Sequence, residues 1–587
     1  MFPQKSRNWF ALLVQCLGLA IVLGWWMLRG QAVALVEPPG GQAAQLPCVS
    51  YSPFHRADIN PFNYIASVSP QHIESDLRLL QSRTQCIRTY GLTQGLDAVP
   101  AVAQRLGMRV SLGVWISRDQ AQNQLQLRRG IELAHQYRGT VERLIVGNEV
   151  LLRRELSPLQ LGQLLDQARQ TSPVPVTYAD VWEFWIRHAQ LSQHVDAITV
   201  HILPYWEDQP VAVADAVNHV VQIAGQVQRH FVGKPVWVGE TGWPAAGRQR
   251  DGAVPGRVEQ ARFVRELLAL KASGSMRLDY NFIEAFDQPW KRSFEGAMGG
   301  YWGLFDPQGR AHAALTGAVV EDDWWWCGLA GAVLGLAVGL LYFVVRLKTS
   351  AAKRSDGRES AGSGEKLAST AYPWLSPALS LATLGAVLPV QWLMVQQWDR
   401  SLFEQCVSAL MGLVGLLVTL AVLWEQRNVA LFAYVPADVP ADVPAIGPAV
   451  LPSDGWARVM ALLRGADHPR HLQFALLFAA AAAALVLLLD ARYRPFPWWW
   501  FIAPTACLLA QRTGGQELVS TRLNKHRLLC VVMAICTIGI VLVEGWRNTQ
   551  ALGYGALLLV LAGTCAWPSR TNTSTASSAA GAHSSVV

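Results

Sequence analysis

Two short stretches of this chain end an apolar, strand-like run in a glycine followed closely by a glutamate. Residues 236–244 read VWVGETGWP and carry Glu240; residues 142–153 read ERLIVGNEVLLR and carry Glu149, preceded by Asn148. A lone glutamate at a strand terminus is most often a surface carboxylate. Two copies of one design, 91 residues apart, shift the balance, because about three strand-plus-helix units of a barrel of roughly 250 residues would bring both to one open end. Two carboxylates in one cleft can divide acid, base and nucleophile work between them.

The elements that must position them follow from hydrophobic periodicity. From Cys48 onward, short apolar strands alternate with amphipathic helical segments, which argues for a parallel sheet. The spacing predicts strands at 48–54, 86–91, 108–116, 143–149, 175–182, 197–206, 235–243 and 280–286. The expected fold class is therefore α/β, a (β/α)8 barrel. Helices are expected at 69–82 and 157–170, where Ser69-Pro70 and Ser157-Pro158 supply a capping hydroxyl followed by a proline.

The barrel accounts for less than half of the 587 residues, and a composition of 51% hydrophobic and 16% charged residues is too apolar for a wholly soluble chain. Apolar runs at 9–28, 324–345, 373–395, 402–424, 472–489, 497–510, 528–543 and 551–567 make eight expected spans, the sixth short and interrupted by Pro497 and Pro504. The expected organisation is a signal anchor at 1–29, a linker at 30–45, the barrel at 46–320, a helix at 324–345 and a basic cytoplasmic linker at 346–371. A multi-span α-helical transmembrane domain at 372–567 follows, containing a Pro/Ala spacer at 435–452, and then a disordered tail at 568–587. The Ala32-Val33-Ala34 triplet resembles a signal-peptidase site, but the apolar run before it is long enough to remain as an anchor.

Charge orients the spans. With a cytoplasmic N-terminus, segments on the inside carry 17 lysines and arginines, against four (Arg400, Arg492, Arg494, Arg547) in the short outside loops. That bias places both termini inside and the barrel outside. The net charge of +7 belongs largely to this flanking pattern, so nucleic acid is not an expected partner. Seven of the nine cysteines lie in or beside apolar runs. Cys48 and Cys86 open neighbouring strands and could form a disulfide, although the sequence favours two buried thiols. No Cys/His spacing argues for a metal, and no cofactor is expected.

In a retaining glycosidase, one carboxylic acid protonates the leaving oxygen while a second carboxylate about 5–5.5 Å away attacks the sugar carbon. An asparagine directly before the acid/base can hold the neighbouring sugar hydroxyl. This order makes Glu149 the acid/base and Glu240 the nucleophile, with Asn148 binding substrate. The stretches VGNEVLLR, VTYADVWEFW, VHILPYWED, VGETGWPAAGRQR, IEAFDQPWK and GGYWGLFD resemble the bacterial branch of glycoside hydrolase family 17, the β-1,3-glucanases and β-1,3-glucan glucosyltransferases. The likeness covers roughly residues 46–318 and implies the same roles for Glu149 and Glu240. It also implies a cleft role for Tyr205. Where plant members carry a glutamate and a lysine after the eighth strand, this chain has Gln288 and Lys291, which implies a hydrogen-bonding residue with no accessory charge.

Trp182, Trp206, Trp243 and Trp290 fall at or just after strand ends and are candidate sugar-stacking residues, as are Trp185 and, more weakly, Trp115; rim packing is the competing reading. His201 reads as a satisfied core histidine. Glu183 and Glu207 read as solvated or salt-bridged, while Arg248 and Arg250 would meet an anionic substituent or neutralise Asp251. The expected substrate is a β-glucan oligo- or polysaccharide, handled on the periplasmic side of a bacterial inner membrane beside the bilayer and a glucan synthase complex. A nucleotide-sugar-dependent synthase is the competing enzyme class, but no DxD or QxxRW motif is present in a cytoplasmic segment. A non-catalytic glucan-binding or glucan-exporting membrane protein would not need both glutamates.

Overall fold

The computed structural model describes residues 4–56, 59–63, 65–274, 278–312, 315–355, 375–432, 468–490, 492–513 and 524–566. The Pro/Ala spacer, most of the basic linker and the C-terminal tail lie outside the described residues.

Eight strands close into a barrel: β1 (Val49–Ser50), β2 (Cys86–Arg88), β3 (Arg109–Val114), β4 (Val141–Asn148), β5 (Val176–Val181), β6 (Ala197–His201), β7 (Val236–Thr241) and β8 (Asp279–Phe282). Every neighbour pairs in parallel, and Val49 opposite Phe282 closes the ring. The expected (β/α)8 barrel is the observed one, with shorter strands than the apolar runs suggest because the polar ends of those runs are βα loops. All residues of β3 after Arg109 are buried, as befits a strand covered by helices on one face and by barrel core on the other. The helix Pro70–Gln81 buries Ile73, Asp76, Leu77 and Leu80, one face of a 3.6-residue repeat, and Ser69 caps it by accepting from His72 N. Ser157 and Gln160 form a capping box on Pro158–Thr171.

Two sequence readings change. Cys48 and Cys86 are joined by a disulfide rather than left as thiols, because the pairing of β1 with β2 brings their Cα atoms to 4.5 Å. The stretch 30–45, read as a loose linker, is pinned: Ala32–Val33 pairs antiparallel with Val319–Val320, and Gln42 O accepts from Arg83. That ribbon brings the chain's entry to the barrel beside its exit, where Arg29 meets Glu321 and Asp322 at 3.6 and 3.5 Å.

Apolar helices occupy all eight expected positions; among the described residues, six are long and apolar enough by length and composition to cross a membrane: Trp9–Arg29, Trp326–Val345, Leu375–Trp398, Leu402–Leu423, His471–Leu489 and Lys525–Glu544. Ile502–Thr513, with 12 residues, rises about 18 Å against a hydrocarbon core of about 30 Å. It follows a short turn of 3-10 helix at Trp498–Trp500. Thr549–Ala566 is the other shorter helix. The helices Trp326–Ser355 and Leu375–Trp398 touch along small residues: a Cβ on Gly331 would run into Gly385 O, and one on Gly335 into Leu381 O. Glycine every fourth residue lets two backbones approach this closely.

Candidate active site

Glu149 and Glu240 arrive from β4 and β7, three strands apart, at the same end of the barrel. An oxygen of each, with a nitrogen of His201 from the end of β6, lies within 4.8 Å of the others. Local geometry aims Glu149. Gly147 has φ 89° and a Cβ there would press on Val150, while Glu149 itself has φ 53°. An unfavourable backbone conformation of this kind persists only where its surroundings enforce it. Arg153 enforces it by donating from Nε and Nη2 to Asn148 O at 3.1 and 2.9 Å, and from Nη2 to Ile116 O at 2.9 Å. Its guanidinium also covers the Trp115 ring, 4.1 Å from the centroid.

The centre of the site is Arg88, buried at the end of β2. Its Nη1 donates to Glu240 Oε1 at 3.0 Å and to Gly239 O at 2.7 Å, and its Nη2 to Asn148 Oδ1 at 2.6 Å. Tyr90 Oη donates to the same Glu240 oxygen at 2.8 Å. Because a guanidinium only donates, the amide oxygen of Asn148 faces Arg88 and its NH2 is directed elsewhere. The same logic sets the His201 tautomer. Nε2 stands 3.4 Å from both Arg88 Nη atoms and must accept, so Nδ1 carries the proton and donates to Glu149 Oε1 at 2.9 Å. His201 is thus buried and satisfied, as its mid-strand position suggests, and its partners are the acid/base candidate Glu149 and the Arg88 that also holds Glu240.

The electrostatics follow. Burial pushes the Glu149 carboxyl up, but the His201 hydrogen bond and the charges of Arg153 and Arg88 outweigh it and hold it below its ordinary value. Burial and the charge of Glu240 push Tyr90 well up, keeping it a phenol that donates. Burial takes Asp180 up to about 6; its carboxylate accepts from Tyr178, whose oxygen accepts Leu151 N at 3.0 Å and so braces the turn after Glu149. Lys291 Nζ is 2.8 and 2.9 Å from the two oxygens of Glu284, a buried carboxyl after β8 raised to about 7 by burial. An accessory carboxylate therefore does stand beside Lys291, supplied by Glu284 instead of position 288.

The remaining sequence candidates divide. Gln288 is buried, donates to Ser52 O at 2.9 Å and accepts from Trp290 Nε1 at 2.8 Å. Trp290 packs on Phe62 at 5.5 Å between ring centroids. Tyr205 is fully buried, gives its hydroxyl to Arg248 O at 2.7 Å and packs on Trp243 and Trp302. Trp243 is buried as well and donates to Val254 O at 2.9 Å. Trp185 lies in the barrel core. Trp182 is half-buried and donates to Glu207 at 3.2 Å. Trp206 is half-buried between Arg250 and Arg492, with Tyr493 against its edge. Arg248 is paired with Glu544, not with Asp251. Sequence reasoning missed Arg88, Tyr90, Glu284 and the contact of His201 with Glu149. A charged residue inside an apolar strand, as in CIRTY, is the signal that could have found Arg88.

A second His/Asp cluster lies outside this site. Asp76 Oδ2 accepts from Tyr51 Oη at 2.8 Å and faces His55 Nε2 at 3.1 Å and His72 Nε2 at 3.2 Å. Asp76 is the hub tying the loop after β1 to the next helix.

A closed parallel barrel with paired carboxylates at its strand ends has the architecture and chemistry of a glycoside hydrolase. Residues 48–303 match the family described as the BtgE/BtgC glycoside hydrolase domain. A glucan 1,3-beta-glucosidase of Schizosaccharomyces pombe is 30% identical over 241 residues, 37% of this chain and 72% of the relative. One of Candida albicans is 26% identical over 262 residues, 40% of this chain and 82% of the relative. An active-site mutant of a Rhizomucor miehei beta-1,3-glucanosyltransferase in complex with laminaritriose is 24% identical, covering 47% of this chain and 97% of that one with a TM-score of 0.40. The chain belongs to this glycoside hydrolase family, and it is an enzyme of that class.

Proposed function

We propose that the protein is a membrane-anchored retaining enzyme that cleaves β-1,3-glucan and passes the glucosyl unit to water or to another glucan. The observation that carries the reading is the approach of Glu149 and Glu240 oxygens to within 4.8 Å, a short separation that supports direct attack by Glu240 on the anomeric carbon over a water held between Glu240 and that carbon, and so a covalent intermediate. Glu240, oriented by Arg88 and Tyr90, attacks the anomeric carbon and forms a glucosyl ester. Glu149 gives its proton to the departing glycosidic oxygen. The same carboxylate then takes a proton from water or an acceptor hydroxyl, whose oxygen displaces Glu240 and restores the β-configuration. Asn148, its oxygen held by Arg88, offers its NH2 to the hydroxyl next to the reacting carbon.

The relatives named for 1,3-beta-glucosidase and glucanosyltransferase activity support the substrate class. Placement on the periplasmic face of a bacterial inner membrane rests on the charge bias and the apolar helices. Formation of β-1,6 branches or rings beside a glucan synthase belongs to the same reading, because an anchored transferase serves synthesis better than foraging. Product analysis of the full chain with laminari-oligosaccharides tests it. Products longer than the substrate, with β-configuration kept, are expected; inverted products would overturn the retaining mechanism.

A further inference from the structure

The loops that join the membrane helices are seated on the catalytic end of the barrel. The stretch following the nucleophile strand is held from there. Arg248, 2% exposed, pairs with Glu544 at the end of Asn524–Glu544 and donates to Arg494 O at 3.4 Å, its guanidinium 4.8 Å from the Phe496 ring centroid. Gln249, equally buried, gives its backbone N–H to Gln550 Oε1 at 2.9 Å and its side-chain N–H to Arg547 O at 2.9 Å. Its two oxygens accept from Asn548 Nδ2 at 3.0 Å and Thr549 Oγ1 at 2.9 Å. On the barrel side this segment is held by Tyr205 Oη to Arg248 O and by Arg250 to Tyr205 O at 2.6 Å.

A second loop, after β8, carries Lys291 and Glu295 and makes the same kind of contact. Arg292 donates to Gln396 O at 2.9 Å, Ser293 to Arg400 O at 3.4 Å, and Ala297 is buried in one apolar cluster with Trp398 and Trp499. Both loops leave the strands whose ends carry Glu240 and Glu284. Without the helix ends, Arg248 would lose the carboxylate it is paired with and Gln249 most of its hydrogen bonds, while Arg248 Nε to Gln249 O and Gln249 Nε2 to Asp251 O would remain within the loop, so the present seating of the loop depends on the helix ends.

The geometry points to the C-terminal membrane half as a working part of the enzyme: Glu544, Asn548, Thr549 and Gln550 are positioning residues for the loop behind the nucleophile. The inference rests on the proposed glucan chemistry only for its kinetic readout. It assigns the later helices a role other than anchoring, for which the first two helices would suffice.

The test uses the full chain in lipid nanodiscs. Glu544→Gln and an Asn548→Ala/Gln550→Ala pair are compared with wild type, with Thr549→Val as a milder change should either fail to fold. Amide exchange over residues 245–254 is expected to quicken by on the order of tenfold while the barrel strands stay protected. For laminari-oligosaccharides kcat should fall on the order of tenfold with KM nearly unchanged, the mark of lost positioning, and Glu544→Asp should recover most of it. Unchanged exchange and unchanged kcat in all three variants would leave the membrane half as an anchor and overturn the inference. If the wild-type chain turns over no β-1,3-glucan, the proposed substrate fails, and the exchange of 245–254 still decides this point.

Discussion

Arg88 is the residue on which the site turns, since one buried guanidinium fixes Glu240, Asn148 and the tautomer of His201 together. The two glutamates were legible from sequence because each repeats a strand, a glycine and a carboxylate. Arg88 and His201 were not, because a polar residue within a strand announces burial or function equally. The division of labour between the carboxylates gives the first prediction. Glu240→Gln should lose turnover by several orders of magnitude on every substrate, since no glucosyl ester can form. Glu149→Gln should fail on natural glucan yet form the ester from a glucosyl fluoride, whose leaving group needs no proton, and azide should then yield a β-glucosyl azide. Glu240→Ala with azide should give the α-azide, and the opposite pair of anomers would reverse the roles. The second prediction concerns pH. The acid must be protonated to work, and His201 helps hold Glu149 below its ordinary value, so the fall of kcat/KM with rising pH begins in the acid range. His201→Phe removes the hydrogen bond that lowers Glu149 and leaves the burial that raises it. The alkaline limb should therefore move to higher pH for natural glucan, while glucosyl fluoride, which needs no acid, shows no shift. A limb that stays in place would detach His201 from the acid.

The elements were easier to read than their edges. Parallel strands buried on both faces, and helices opened by Ser69-Pro70 and Ser157-Pro158, declare themselves by periodicity and capping. Whether a strand-end tryptophan faces sugar or core depends on how the βα loop folds back over it, and no local pattern records that. Trp243 shows the difficulty: it stands three residues beyond Glu240 and is buried with its N–H spent on Val254 O. Trp243→Ala should accordingly cost about 3–5 kcal/mol of stability, the usual loss for a large core aromatic, with oligosaccharide affinity of the folded fraction unchanged. Thermal unfolding and calorimetric binding together separate this from a stacking role, for which affinity would fall and the melting temperature would hold. The disulfide was legible as a possibility, and the sequence could not decide it for a related reason. Adjacent cysteines on paired strands meet only if the register aligns them, and register is set by the closing of the whole barrel.

At the scale of the molecule, the charge bias and the contacts between its halves are independent observations that agree. Four arginines, at 400, 492, 494 and 547, were assigned by charge to the outside loops, and each of those loops meets the barrel. Ser293 reaches Arg400 O, Arg492 lies over Trp206, Arg248 reaches Arg494 O, and Gln249 reaches Arg547 O. On the proposed threading, the chain returns to the barrel side near residues 400, 493 and 547, having left it in between. An even number of passes must separate consecutive returns, so the short helix Ile502–Thr513 is needed as an outward leg to pair with Asn524–Glu544. Six long helices alone would put residues 493 and 547 on opposite sides of a bilayer, whereas both loops meet one barrel. The last prediction follows from this parity. In a bacterial host, a phosphatase reporter, active only after export, should work when inserted at residue 547 or within the 30–45 stretch, and fail when inserted after Lys366 or near residue 518. A cytoplasmic reporter should give the reverse pattern. A segment near 518 that scores as exported would make Ile502–Thr513 re-entrant and put the seating of the loop at 547 on the catalytic end of the barrel in conflict with the threading.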